Sequence, residues 1–253
     1  PNWTGRPPLK GWPLAALGLR WLAGRIAMLV DVAAWLDLLF LPALAVIVGR
    51  AIIGARNSRN YLVPVMVAAL AGLNAWYHGG ETSRALWATA LLLSAMIALI
   101  GGRIVPQFTQ TALRAPGWPD LTCPTPARLR QRGVPAVLVV LAAELVGLAS
   151  LARGFIALTA GMILLSGMAG WHSWRTRRLP IVWILHVGYA GLPIGLMLLG
   201  LADLGAGIAA TTALHALSAN AIGIMILAVA SRAALGHSGR PHTFIVGLDD
   251  GRF

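Results

Sequence analysis

Apolar runs long enough to cross a bilayer recur from one end of the chain to the other, and crossing roughly 30 Å of hydrocarbon takes about 20 helical residues. A water-soluble domain buries its apolar residues in shorter pieces. With 58% hydrophobic and only 11% charged residues, this chain cannot clothe a normal water-facing surface. Backbone groups in lipid must be satisfied within the chain, which leaves helices or closed barrels, and the alternating pattern of barrel strands is absent. The expected fold is therefore all-α: one polytopic transmembrane helix bundle over residues 1–253.

The runs and the punctuation between them predict about eight spans, at 11–30, 33–54, 61–78, 85–101, 134–152, 154–171, 180–201 and 205–230. Pro42 and Pro193 fall inside spans two and seven as tolerable kinks. The stretch 102–133 reads as the longest connection. Charge tests this division independently, because cytoplasmic loops carry the Lys/Arg excess. With the N-terminus inside, sixteen of the 20 Lys and Arg fall on cytoplasmic segments, Arg84 and Arg153 fall outside, and Arg20 and Arg25 stay within span one. Both termini are thus expected in the cytoplasm. The net charge of +12 follows from these loops, and a nucleic-acid partner is excluded because no water-soluble basic face exists to bind one.

Ionisable side chains at membrane depth cost free energy unless paired or hydrated. Arg20 and Arg25 either pair with carboxylates such as Asp37 and Glu144 or neutralise an anionic cofactor group. Among six histidines, His186 in span seven and His215 in span eight lie deepest. Counted from the span ends, the two rings fall within several Å in depth, so neighbouring helices would let them share one cofactor. An interhelical hydrogen bond is the competing role for each. His172 reads as an interfacial anchor beside Trp171 and Trp174. His78 reads as another anchor or, with Glu81, as a metal site; His237 and His242 read as solvated tail residues. The single Cys123 makes neither a disulfide nor a CxxC site. No phosphate loop, nucleophile elbow or zinc-helix motif is present. Gly191 and Gly195 form one G-x-x-x-G, a signature of close helix packing.

Several segments together resemble the NnrS family of multi-pass bacterial membrane proteins. These are Pro1-Asn2-Trp3-Thr4-Gly5-Arg6, Gly102 to Thr109, Trp183 to Tyr189, His215-Ala216-Leu217, Ile222-Gly223, Leu227-Ala228-Val229 and Ser231 to Pro241. The resemblance implies a haem- and copper-containing protein of the bacterial inner membrane, associated with nitric oxide and resistance to nitrosative stress. It also implies a twelve-helix bundle of which this chain supplies the last eight helices, the amino-terminal part with its own His-Glu motif preceding it. Carried over residue by residue, it makes His186, His215 and His237 the expected metal ligands. Arg103, Arg240 and Tyr189 become expected cofactor contacts, with Arg6 and Arg232 as further anion partners, and Arg20 joins the expected cofactor contacts from its depth alone. Two positions depart from the family pattern: Asn220 stands where Gly is expected, and Gly191 where Trp is common.

Two functions compete at this point. One is a haem/copper protein that lowers the harm done by nitric oxide, with the electron donor and the question of turnover left open. The other is a non-catalytic transporter or sensor for metal, haem or an anion, and a purely structural subunit is a third, blander reading.

Overall fold

The computed structural model describes residues 9–30, 32–114, 122–123 and 127–237. The described residues are helices and turns, with no strand among them. Five helices are long and apolar enough to cross a membrane: Trp35–Gly54, Thr82–Arg114, Ser150–Gly167, Pro180–Asp203 and Ala210–Arg232. Large apolar side chains face outward along the molecule, among them Leu29 at 85% and Val146 at 74% exposure, as a lipid-facing surface requires.

The chain packs as two compact units, Pro1–Thr89 and Ala90–Phe253. In the first, α1 (Trp12–Leu29) packs on a 3-10 helix (Ala34–Leu39) that runs straight into α2 (Phe40–Gly54), and α2 packs on α3 (Leu62–His78). Pro42 sits just after the point where the 3-10 helix gives way to α-helix, within the continuous span Trp35–Gly54.

The second unit is built around α7 (Pro180–Asp203). On one side α7 packs against α6 (Ser150–Gly167), which in turn packs on α5 (Ala127–Val146). On the other side it packs against the continuous run of α8 (Ala210–His215), a π-helical stretch (Ala216–Ile224) and α9 (Met225–His237). Glycines let the backbones close. An added Cβ at Gly195 would come within 2.7 Å of Leu217 Cγ, and one at Gly200 within 2.7 Å of the Gly154 carbonyl oxygen. The G-x-x-x-G pair is thus a packing stripe, as its spacing predicts.

Several boundaries differ from the sequence reading, two of them near the candidate site and its neighbours. Helix α4 runs over Thr82–Arg114, so the Gly102–Thr109 segment is helical and not the start of a long loop. The apolar run ends near residue 101, but Val105, Thr109 and Leu113 continue a buried stripe at four-residue spacing, and packing carries the helix onward through Pro106. At 33 residues, about 50 Å, α4 is longer than a bilayer core is thick. Span five was expected to continue to 152. It ends at Val146, because Gly147 adopts a left-handed backbone (φ 72°) and α6 begins at Ser150.

Candidate functional site

Three of the segments that carry the family resemblance meet at one end of the second unit. From α4 comes Gly102–Thr109, from α7 Trp183–Tyr189, and from α9 the start of the Ser231 segment. Tyr189 lies in a slot cut by two glycines of α4: a Cβ on Gly101 would sit 2.8 Å from its Cδ2, and one on Gly102 3.3 Å from its hydroxyl. Trp171, fully buried in the turn after α6, stacks obliquely on Tyr189 at 4.8 Å and presents an edge to His186 at 6.1 Å. Arg232 lays its guanidinium 3.9 Å over the Phe108 ring, a cation–π contact that ties α9 to α4.

His186 is the polar centre of this region, at 2% exposure. Its Nε2 lies 2.7 Å from Thr109 Oγ1 and its Nδ1 2.9 Å from Ser173 Oγ. The Thr109 hydroxyl also reaches the Val105 carbonyl at 2.9 Å, so each ring nitrogen of His186 faces one hydroxyl, from α4 on one side and from the turn after α6 on the other. No carboxylate of the described residues pairs with the ring. A bare imidazolium there would be costly, so the ring is neutral, with one nitrogen donating to its hydroxyl and the other accepting from its own. Ser173 opens a 3-10 helix (Ser173–Arg178) and follows His172, whose left-handed backbone (φ 54°) is steadied by an Nε2 contact to the Thr122 carbonyl at 3.1 Å.

His215 is placed differently. It lies on an exposed face at the end of α8, and its Nδ1–H donates to the Thr211 carbonyl at 2.7 Å, leaving Nε2 as the lone-pair nitrogen. The two histidines do not share a site. Contacts of Gly188 with Ile224 and Met225, of Gly191 with Ala221 and of Gly195 with Leu217 fix the antiparallel register. By that register His215 stands level with residue 197, about eleven residues from His186 and roughly 16 Å along α7. Depth counting missed this because the final helix starts at Ala210 instead of 205. Gly205 (φ 76°) and Gly207 (φ 73°) hold the preceding residues in a turn, which moves His215 toward its own end of the membrane.

Arg103 is half-buried on α4, within the converging segments. Arg20 lies in the first unit, exposed on α1, and borders an apolar groove of about 450 Å³ with Leu38, Pro42 and Val46. His237 ends α9 and its side chain lies outside the described residues, as does Arg240. No group of three or more His, Cys, Asp or Glu is gathered to hold a metal among the described residues. His186 and His215 therefore fit single protein ligands on separate sites, not one closed cage.

Asp37 and the half-buried Glu144, Arg153 and Asp203 have protein partners. Asp37, at 5% exposure, pairs with Arg25, accepts Asn74 Nδ2 at 2.9 Å and contacts His78 Nε2 at 3.3 Å. Arg25 thus takes the carboxylate expected of it, and His78 turns to Asp37. Glu144 pairs instead with Arg153 at 3.1 Å, and Arg153 also binds Asp203 at 2.9 Å, clamping the end of α5, the start of α6 and the end of α7. Burial pushes the Cys123 thiol above its ordinary pKa, against a weaker opposing pull from Arg114, so the lone thiol is not activated.

The two departures from the family pattern meet. A Cβ on Gly191 would come within 3.0 Å of Asn220 Cγ and 2.8 Å of the Ala221 nitrogen. A small residue at 191 therefore accompanies the larger one at 220. Asn220 lies in the π-helical stretch, and its buried Oδ1 has no hydrogen-bond partner among the described residues. Sequence reading found His186 and Tyr189 but missed Thr109, Ser173 and Trp171 as their neighbours. The only available signal was the Val105/Thr109/Leu113 spacing, which marks a helix face running on past the apolar run.

The sequence profile of the family described as NnrS protein matches residues 1–245. No curated protein and no solved structure matches the chain.

Proposed function

The chain belongs to the NnrS family, and from that premise we propose that it is a haem- and copper-binding protein of the bacterial inner membrane that helps cells withstand nitric oxide. Its apolar helices make it a membrane protein of this family. The finer topology we propose is eight spans with both termini cytoplasmic. The Lys/Arg asymmetry supports the orientation.

One observation carries the cofactor reading. A neutral imidazole, His186, is buried where three family-resembling segments converge, on the side of the unit that also bears Arg103, Arg175, Arg177, Arg178 and Arg232. Neutral imidazole is the commonest ligand for haem iron and copper. What such a metal supplies when bound is a coordination position for a small apolar gas arriving from lipid. The chain's own residues do the rest. His186 offers a lone pair, Tyr189 and Trp171 exclude water around it, and the basic end of the unit complements an anionic cofactor edge or product.

The test is an optical spectrum with iron and copper analysis of the purified protein, compared with His186→Ala and His215→Ala. Because the two histidines lie on separate sites, the expected result is a loss confined to one signal in each variant. Well-folded wild-type protein without iron or copper would sink the cofactor reading and leave transport or sensing.

A further inference from the structure

The first unit carries a groove that the function proposed above does not use. We propose that this groove, between α2 and α3, is a binding site for an anionic phospholipid, with Arg50 on the phosphate and an acyl chain in the groove. The proposal rests on the membrane character of the chain and is independent of the haem/copper reading.

The groove has a volume of about 650 Å³. Its floor is Gly49 and Pro64, both buried, and a Cβ added at Gly49 would meet Pro64 Cβ at 3.7 Å, so the two helices close beneath it. Its walls are the exposed side chains of Val46 and Ile53 from α2 and of Val65 and Ala68 from α3. On the apolar span Trp35–Gly54 such a trough opens to hydrocarbon. Two polar residues interrupt the lining, Arg50 and Tyr61, and both belong to the end at which α2 passes through residues 55–61 into α3. From Tyr61 the lining continues to Ala68, about 10 Å of helical rise. That is most of one leaflet, which is roughly 15 Å, half of the hydrocarbon core. An apolar trough of this depth with a cation at its end matches the polarity of a phospholipid, chain along the walls and headgroup at the turn.

Charge decides which lipid. Residues 38–80 contain Arg50, Arg56 and Arg59 and not one Asp or Glu. Arg50 and Arg56 are exposed and have no ion-pair partner among the described residues. A neutral lipid would fill the trough and leave this charge uncompensated. A second copy packed here about a two-fold axis would bring its own basic turn against this one. A phosphate diester, by contrast, accepts the paired N–H groups of a guanidinium, and the Tyr61 hydroxyl is a further donor. Basic pockets between membrane helices at headgroup level are the setting in which acidic lipid headgroups bind. The groove between α5 and α6, of about 330 Å³, is lined without a charged residue, so nothing there selects among lipids.

The test is native mass spectrometry of the purified protein, released from detergent that contains equal amounts of phosphatidylglycerol and phosphatidylcholine with the same acyl chains. One phosphatidylglycerol per chain is expected to be retained in preference to phosphatidylcholine. Arg50→Gln should reduce that preference roughly fivefold, the worth of one basic side chain at a lipid surface. Lys10→Gln, which removes the same charge from an exposed position outside the groove, should leave it unchanged. Val65→Trp fills the trough at constant charge and should expel the lipid; Ala68→Phe takes its place if thermal unfolding shows the tryptophan variant not to fold. Equal retention of the two lipids by wild type overturns the proposal. So does an equal effect of Arg50→Gln and Lys10→Gln, or undiminished retention in a folded groove-filling variant. Displacement of phosphatidylglycerol by inorganic phosphate would make this a phosphate site, and dimers that come apart in Val65→Trp would give the groove to a second copy; either result overturns it too. Protein free of iron and copper leaves every arm of this test intact, so failure of the cofactor reading and failure of the lipid site are told apart.

Discussion

The Asp37 cluster of the first unit and the His186 cluster of the second are both polar centres buried in apolar helices, yet they are built from opposite materials. Asp37 carries a full charge, and its acceptor capacity is met by Arg25, Asn74 and His78. Gly24 brings α1 so close that a Cβ there would lie 2.9 Å from Asp37 Cα. His186 is neutral and is held by two hydroxyls. A buried charge that loses its partners is severely destabilised, whereas a neutral ring that loses one hydroxyl partner loses about 1 kcal/mol. The first arrangement locks helices together. The second contains no charge that must stay paired.

This contrast is open to direct attack. Asp37→Ala should cause the largest loss, about 3 kcal/mol, because it strands Arg25 and Asn74 together; Arg25 is 48% exposed, which places the loss at the lower end for a broken buried pair. Thermal unfolding in detergent measures it, and a change under 1 kcal/mol would mean that the cluster is not a lock. Gly24→Ala comes next, at about 2 kcal/mol, since the obstacle is backbone and cannot rotate away. His186→Phe keeps the ring's bulk and should cost only about 1 kcal/mol of stability, while abolishing any metal signal that depends on this residue. If it unfolds the protein as Asp37→Ala does, the distinction between lock and site fails. The smallest effect expected is a coupling of about 1 kcal/mol between Gly191→Ala and Asn220→Gly, read from a double-mutant cycle. Strict additivity would mean that the two positions do not compensate each other.

How far each cluster was legible depends on how many packing decisions separate its members. Arg25 and Asp37 are twelve residues apart, and a charge at depth must find an opposite charge, so their pairing follows from cost alone. His78 joins them only because α3 packs where it does, and its own surroundings read as an interfacial anchor. His186 is legible as a deep imidazole on an apolar helix. Thr109 was not legible as its partner, because the hydropathy that marks a span ends before the helix does. Ser173 was hidden for a different reason: a short 3-10 turn has no periodic signal to read. The expected pairing of His186 with His215 failed on a register shift of a few residues, set by two glycines in a turn.

The sequence by itself determined the helical class, the membrane environment, the family and the depth of the candidate histidine, because each follows from transfer free energies that act along the chain or from residue patterns read in order. Only the tertiary structure decided which hydroxyls hold that histidine, and which histidines stand apart. It also brought the two departures from the family pattern into contact. Those outcomes depend on register and directional hydrogen bonds between helices far apart in the chain, where a shift of one turn, about 5.4 Å, exchanges every partner.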